Sequence, residues 1–110
     1  MAAQASMKHV RITPRKMRVV CKQIRGRNAQ DVVEYLTHCR RRAAAPLLKL
    51  LKSALANAEQ KGGVDLDNLY VKELLCDKGS TLKRWMPRAR GMATPVLKRS
   101  CHVKVVLDEK

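Results

Sequence analysis

Apolar residues recur with the spacing of an amphipathic helix in three stretches of this chain. In the first stretch, Thr13 is suited to cap a helix, Pro14 to occupy its first position and Gly26 to end it. The residues predicted to face the interior from this helix are Met17, Val20, Cys21 and Ile24.

The other two stretches predict a second and a third helix. Asn28 is suited to cap the second, and Asp31 in its first turn favours the helix dipole. The third is predicted over residues 43–61, where Pro46 is tolerated in the first turn and Gly62-Gly63 ends the helix. Its leucine-rich stripe predicts the core helix, and the alternative is a helix on a membrane surface, which the weakly basic polar face disfavours. The predicted inward residues of the two helices are Val32, Val33, Leu36, Leu47, Leu50, Leu51, Ala54, Leu55 and Ala58.

Three stretches have the composition of core strands. Residues 8–12 alternate polar and apolar side chains, which predicts a short strand with Val10 and Ile12 facing inward. Residues 69–76 and 101–107 are rich in apolar and β-branched residues and predict two further strands. Residues 64–68 are predicted to be a turn-rich connector.

A hairpin is predicted between the last two of these strands, because two arms of about ten residues meet at Gly91. At about 3.3 Å per residue, each arm would extend roughly 30 Å beyond the body. Pro87 and Pro95 lack the N–H that a strand ladder uses, so we expect irregular arms. An isolated hairpin is marginal in water, so we expect the tip to become ordered only in a complex.

Positive charge is concentrated in two blocks. The net charge is +15 over 110 residues, which makes nucleic acid the default partner. Residues 1–30 and 78–107 each hold eight basic residues and no acid, whereas residues 31–77 balance seven basic against seven acidic residues. We therefore expect the two blocks to bind a polyanion and the middle to fold the domain.

No catalytic, metal or membrane pattern accompanies this charge. Ser-His-Asp, H-E-x-x-H, P-loop and G-x-G-x-x-G arrangements are missing, and the three histidines are scattered. The four cysteines are widely spaced without a C-x-x-C pair, so we expect free, mostly buried thiols in a reducing compartment. No stretch approaches the ~20 apolar residues of a membrane span, and the start of the chain lacks a signal-peptide pattern. These features predict a soluble intracellular protein that is not an enzyme and has no cofactor.

The type of nucleic acid can be narrowed from the scarcity of aromatic residues. Only Tyr35, Tyr70 and Trp85 are present, which disfavours the stacking platforms of single-strand readers. Phosphate contacts and a thin extension suit the shape of a folded RNA. Two roles remain open for Trp85, stacking on a base or packing on the opposite arm. A basic DNA-binding or nucleoid protein is the alternative function.

Four segments carry the most specific pattern in the chain. They read Ile12-Thr-Pro-Arg-Lys-Met-Arg18 with Ile24-Arg-Gly26, then Ser53-Ala-Leu-Ala-Asn-Ala-Glu59, then Lys83-Arg-Trp-Met-Pro-Arg-Ala-Arg-Gly91, then Leu97-Lys-Arg-Ser-Cys-His102. In this order they resemble the L-twenty-two family of ribosomal large-subunit proteins. The resemblance runs from about residue 8 to the C-terminus. Trp85 departs from it, because an aliphatic residue is common at that position.

The resemblance implies an α+β fold, with a three-stranded antiparallel sheet packed with three helices, plus one long protruding β-hairpin. It implies one ribosomal-protein domain over residues 1–110, with residues 78–101 as the hairpin. The implied function is structural: a constituent of the large (50S) subunit in the cytoplasm that binds several domains of 23S rRNA, supports early assembly and lines the polypeptide exit tunnel with its hairpin. The implied partners are 23S rRNA, neighbouring large-subunit proteins including the L-four family, the nascent polypeptide and macrolide antibiotics near the tip. No membrane is implied.

Site residues follow from the resemblance position by position. The tunnel-side tip would span residues 81–95, and the other contacts lie on the body and at the hairpin base. The rRNA-binding residues implied are Arg11, Arg15, Lys16, Arg18, Arg25, Lys83, Arg84, Arg88, Arg90, Lys98, Arg99 and His102. The tip residues implied are Lys83, Arg84, Trp85, Pro87, Arg88, Ala89, Arg90 and Gly91. No catalytic or metal residue is implied.

Overall fold

The computed structural model describes residues 3–62 and 66–109 of the chain. Within these ranges it contains three helices and five strands. The helices are α1 (Pro14–Ile24), α2 (Ala29–His38) and α3 (Ala44–Lys61). The strands are β1 (Ala3–Val10), β2 (Leu69–Lys78), β3 (Leu82–Pro87), β4 (Ala93–Lys98) and β5 (Cys101–Glu109). The predicted α+β class is confirmed.

The main sheet is antiparallel and has the strand order β1-β5-β2. Strand β5 lies in the centre, paired along both of its edges, and its apolar residues Val103, Val105, Val106 and Leu107 are buried. Helix α1 packs against β2, α3 packs against β1 and β5, and α2 packs against α3. The core therefore lies between one face of the sheet and the helices.

The predicted helices and their inward faces are confirmed. Thr13 Oγ1 accepts a hydrogen bond from the Lys16 N–H, and Asn28 Oδ1 accepts one from the Gln30 N–H. Pro46 is the third residue of α3, early enough to lack an intrahelical N–H partner anyway. The leucine stripe of α3 is buried against the sheet, and Leu55 of α3 is partly buried beside it. Val33 of α2 is also partly buried against the core. The burial of the leucine stripe identifies α3 as the core helix rather than a membrane-surface helix.

None of the helices in the described ranges is long and apolar enough to cross a membrane. The predicted end of α3 is confirmed at Gly62, which follows the helix with a φ of 70°. Gly63 and residues 64–65 of the predicted connector lie outside the described residues. The described part of the connector is a short 3-10 turn, Leu66–Asn68.

The prediction for the first strand was wrong in its bounds. The strand spans residues 3–10 rather than 8–12, and Ile12 lies beyond it in a bend, partly buried against the core. His9 adopts a φ of 58°, and the pairing with β5 shifts between Met7 and Val10. This irregularity ends the strand. The residues before Met7 lack β-branched side chains, so the sequence pattern did not predict that the strand begins there.

Strands β3 and β4 form the predicted hairpin, but the expectation of irregular arms was wrong. Their pairing is unbroken from Leu82 opposite Lys98 to Pro87 opposite Ala93. The Arg88 N–H donates to the Met92 carbonyl at 2.6 Å, so the even-numbered residues form the hydrogen-bonded pairs. Both prolines are odd-numbered and occupy non-hydrogen-bonded pairs, where a backbone N–H would point away from the partner strand. The ladder therefore loses no bond to either proline.

The hairpin turns at Ala89–Gly91 and leaves the body at a tight joint. At the turn, Arg90 and Gly91 have φ values of 62° and 72°. At the joint, the Gly79 N–H donates to the Ser100 carbonyl at 3.0 Å, and Ser100 Oγ donates to the Ser80 carbonyl at 2.6 Å. We call Gly79, Ser80 and Ser100 the hairpin base.

Three of the four thiols, those of Cys21, Cys76 and Cys101, are buried, and Cys39 is half-buried; all four are free. Burial raises the pKa of Cys21 to about 11 and that of Cys101 to about 12. Burial also raises the pKa of Cys76. The prediction of free and mostly buried cysteines is confirmed.

Candidate nucleic-acid interface

Basic side chains from three separate parts of the chain line one cleft beside the hairpin base. The cleft has a volume of about 610 Å³. It lies between the turn before α1, the link from α2 to α3, and the end of β4. Among the described residues, no acidic side chain lines it. Its cations are Arg11, Lys16, Arg41, Arg42, Lys98 and Arg99. We call it the basic cleft.

A smaller cleft of about 230 Å³ adjoins the basic cleft. The two share Thr13 and Arg99 in their walls. In the described part of the chain, the smaller cleft is also lined without any acid. Its cations are Arg15, Arg18, Lys78 and Arg99. Together the two clefts form a continuous basic surface around the N-terminus of α1 and the root of the hairpin.

The fold brings together the two basic blocks that are far apart in the sequence. Thr13 caps α1 soon after the chain leaves β1, and the end of β4, where the chain turns toward β5, lines the same cleft as Thr13. Arg11 and Lys16 of the first block therefore share a cleft with Lys98 of the second. This convergence produces a concave surface of one charge sign, which suits a polyanion.

Arg41 and Arg42 are cleft residues that sequence reasoning did not include. They belong to the electrically balanced middle of the chain, so the charge count alone assigned them to the folded body. Both are exposed in the link between α2 and α3 and line the basic cleft. The run of three arginines, 40–42, in an otherwise balanced region was the available signal.

Two of the predicted contact residues have structural bonds as well. The Nε and Nη2 groups of Arg18 donate to the Cys76 carbonyl at 3.2 and 3.1 Å. The Nη2 group of Arg25 donates to the Leu74 carbonyl at 2.6 Å. Arg18 keeps three of the five guanidinium donors for a ligand in the smaller cleft. Arg25 lines neither cleft, so the structure does not bring it together with the other predicted residues.

His102 is half-buried in the joint between hairpin and sheet. Its Nδ1 accepts a hydrogen bond from the His9 backbone N–H at 3.1 Å, and the two imidazole rings meet edge to face. Its Nε2 is the ring nitrogen left for a contact with a ligand. His102 therefore helps to hold the root of the hairpin.

The predicted tip residues lie on the hairpin, away from both clefts. Paired residues of two antiparallel strands point to the same side, so the ribbon has two faces. One face carries Lys83, Trp85, Pro87, Ala93, Pro95 and Leu97. The other carries Leu82, Arg84, Met86, Thr94, Val96 and Lys98. We call the first the tryptophan face; Lys83 and Arg84 therefore point to opposite sides.

Trp85 is 67% exposed, so it does not pack closely on the opposite arm, which was one of the two roles left open for it. Pro95 is its partner on the opposite arm, but the pair leaves most of the indole in solvent. Arg88 and Arg90 are exposed near the turn, and Met92 beside them is 69% exposed. The tip thus presents cations and large apolar side chains together.

Comparison with known proteins gives a family match over nearly the whole chain. Residues 5–108 match the profile of the family described as Ribosomal protein L22p/L17e. The large ribosomal subunit protein uL22 of Syntrophotalea carbinolica is 44% identical over 110 residues, covering 100% of both chains. That of Myxococcus xanthus is 46% identical over 111 residues, covering 99% of this chain and 97% of its own. That of Aquifex pyrophilus is 47% identical over 108 residues, covering 98% of this chain and 80% of its own.

Proposed function

Because this chain belongs to the ribosomal protein L22p/L17e family, we propose that it binds rRNA through two separate surfaces. The first is the pair of clefts at the root of the hairpin. The second is the hairpin itself. As a member of that family it is a structural, non-enzymatic constituent of the large ribosomal subunit in the cytoplasm. The resemblance inferred from the sequence is confirmed, and ribosomal RNA and neighbouring ribosomal proteins are accordingly its partners.

The basic cleft carries the proposal for the body. Six cations from three parts of the chain surround about 610 Å³, and no acid among the described residues neutralises them there. Like charges that converge on a concave surface repel each other until an anion enters between them. A folded RNA provides closely spaced phosphates, and each neutralised phosphate releases counterions. The cleft therefore suits the bend or junction of an RNA backbone.

The hairpin is proposed to enter a crevice of the same RNA. The molecule measures 65 × 24 × 16 Å along its principal axes, so it is far longer than it is wide. The residues of β3 and β4 are exposed, apart from the partly buried Val96. Most of this thin, basic ribbon is therefore exposed to solvent and accessible to a partner outside the domain.

We place the hairpin along the polypeptide exit tunnel, with residues 81–95 as its tunnel-side part, in accordance with the family resemblance. The proposed contacts there are several domains of 23S rRNA, a protein of the L-four family, the nascent polypeptide and macrolide antibiotics near the tip. A role in early assembly follows if the clefts join separate RNA domains. We also propose that residues 1–110 act as one domain with residues 78–101 as its extension.

The salt dependence of RNA binding tests the cleft. We expect the affinity of the whole chain for large-subunit rRNA to fall by several orders of magnitude from low to moderate salt, because many phosphate contacts are made at once. Log affinity falls linearly with log salt, and replacing Arg41 and Arg42 together by Ala should make that fall less steep by about 1.8 if each contacts one phosphate. The matched control is Lys49→Ala with Lys52→Ala, which removes two exposed cations of α3 outside both clefts.

Three results would contradict the proposal for the cleft. The first is a flat salt response, and the second is an equal loss of affinity in the α3 control. The third is competition by duplex DNA as effective as that by rRNA at the same salt, which would favour the DNA-binding alternative. Thermal unfolding of each variant should match the parent chain, because the four replaced residues are exposed.

The tunnel placement has its own test in cells. Charges on a tunnel wall act on a nascent chain within a Debye length of about 8 Å. Ribosome profiling of a strain carrying Lys83→Ala with Arg84→Ala should therefore show altered pausing on charged nascent segments. Because the two side chains point to opposite sides of the ribbon, the double replacement removes whichever charge faces the tunnel, and unchanged pausing would count against either of them acting on the nascent polypeptide.

A further inference from the structure

The tryptophan face of the hairpin presents an indole that the chain itself leaves uncovered. Trp85 is 67% exposed, and its cross-strand partner is the small ring of Pro95. Ring contacts in the described residues join His9 to His102 and Arg27 to Tyr35, and neither involves Trp85. Large apolar side chains exposed together mark an interaction surface.

The side chains around the indole indicate what kind of surface it is. Lys83 lies on the same face two residues away. Residues 78–107 contain no acid. A flat aromatic ring beside a cation is an arrangement that binds single-stranded nucleic acid, because the ring stacks on a base while the cation holds a phosphate.

A peptide partner fits this surface less well. The hairpin is a two-stranded ribbon whose side chains are almost all exposed, so it offers little depth in which to bury an apolar side chain. An apolar peptide segment also gains nothing from the lysine beside the indole. A base needs only a flat open ring, and it brings its own phosphate to the neighbouring lysine.

We propose that Trp85 stacks on an unpaired nucleobase of the large-subunit RNA, with Lys83 on an adjacent phosphate. This proposal rests on the proposed function and specifies one of its contacts. The opposite face, which holds Arg84 and Met86, makes no such stack. The hairpin thus has a base-binding side as well as its backbone contacts.

The single tryptophan of the chain makes the contact directly measurable. The whole protein is titrated with transcribed 23S rRNA, and tryptophan emission is followed beside the binding of labelled RNA. We expect strong quenching at saturation, since a stacked base quenches the indole. Trp85→Phe should bind nearly as tightly as the parent chain, because it keeps an aromatic face. Trp85→Leu keeps an apolar side chain without that face and should bind about tenfold more weakly.

The matched control is Met86→Ala, on the opposite face and next in the chain, where the side chain is 47% exposed. It should leave affinity and quenching unchanged. All four proteins should show the same thermal unfolding of the body, because Trp85 and Met86 are exposed on the ribbon.

The outcomes separate this proposal from the one on which it rests. Full RNA binding with unquenched emission, or equal affinity of the Leu and Phe variants, overturns the stacking contact and leaves RNA binding in place. Failure of the parent chain to bind the RNA overturns both. If the part of the emission that assembled large subunits lose on Trp85→Phe replacement is quenched only when a nascent chain is present, the tryptophan face contacts peptide and the stacking proposal is wrong.

Discussion

Replacing Gly79 by alanine tests whether the hairpin base is as tightly packed as the structure indicates. An added Cβ would lie 2.7 Å from Ser100 Oγ, 3.2 Å from the Ser100 carbonyl carbon and 3.2 Å from His102 Cε1. Real Cβ atoms are essentially never found within 3.0 Å of another heavy atom. The Ser100 hydroxyl must therefore move, and it already donates a 2.6 Å hydrogen bond to Ser80.

The expected loss of stability is worked out from three terms. Breaking the Ser100 hydrogen bond costs about 1 kcal/mol. The two remaining tight contacts, one of them with backbone that cannot rotate away, add about 1–3 kcal/mol of overpacking. The reduced freedom of the unfolded chain returns about 0.4–1 kcal/mol. We expect a net loss near 2 kcal/mol, a large share of the roughly 5–15 kcal/mol typical of a domain.

Urea unfolding followed by far-ultraviolet circular dichroism measures this loss, because the secondary structure lies mostly in the body. Ser100→Ala removes the clashing hydroxyl, so the double variant should be less destabilised than the sum of the single variants by about 1 kcal/mol. Gly26→Asn is the matched control. That site is open space around a φ of +83°, a conformation that asparagine tolerates, so little stability should be lost.

Two results would refute the reasoning about the hairpin base. One is a Gly79→Ala variant within about 0.5 kcal/mol of the parent chain, well below the range for overpacking. The other is strict additivity of the Gly79 and Ser100 variants. Either result would mean that the joint between hairpin and sheet adapts freely and is not a close-packed contact.

Two further predictions concern the core. Leu51→Asp should unfold the body, because it places a carboxylate at a position only 3% exposed. The control, Leu75→Asp at a 46% exposed position, should change the melting temperature little. Equal effects of the two variants would show that the core assignment of α3 is wrong. The pKa values of Cys21 and Cys101, raised from 9.0 to about 11 and about 12, make the folded state hold protons that the unfolded state releases. The stability that the two buried thiols give the folded state is complete below pH 9 and is lost as the pH rises through 11 to 12. Cys101→Ala should therefore flatten the alkaline fall in melting temperature, and an unchanged slope would contradict this.

Much of the body could be predicted from the sequence because its signals are local. The caps at Thr13 and Asn28, and the helical spacing of the buried residues of α1 and α3, depend on neighbours within one or two turns. The hairpin position was likewise readable from Gly91 between two arms. The first strand was placed incorrectly because its pairing with β5 carries the small residues Ala3 and Ala5, whose own β propensity is weak.

The sequence by itself determined the three helices, the concentration of charge in two blocks and, through four specific segments, the family. Only the tertiary structure decided that the two blocks meet in one cleft with Arg41 and Arg42, because that convergence depends on how distant elements pack. The same holds for the hairpin. Strand register decides that both prolines fall in non-hydrogen-bonded pairs, where the ladder loses no bond, and that Trp85 is exposed. Register and packing join residues far apart in the chain, and no local pattern of side chains specifies them.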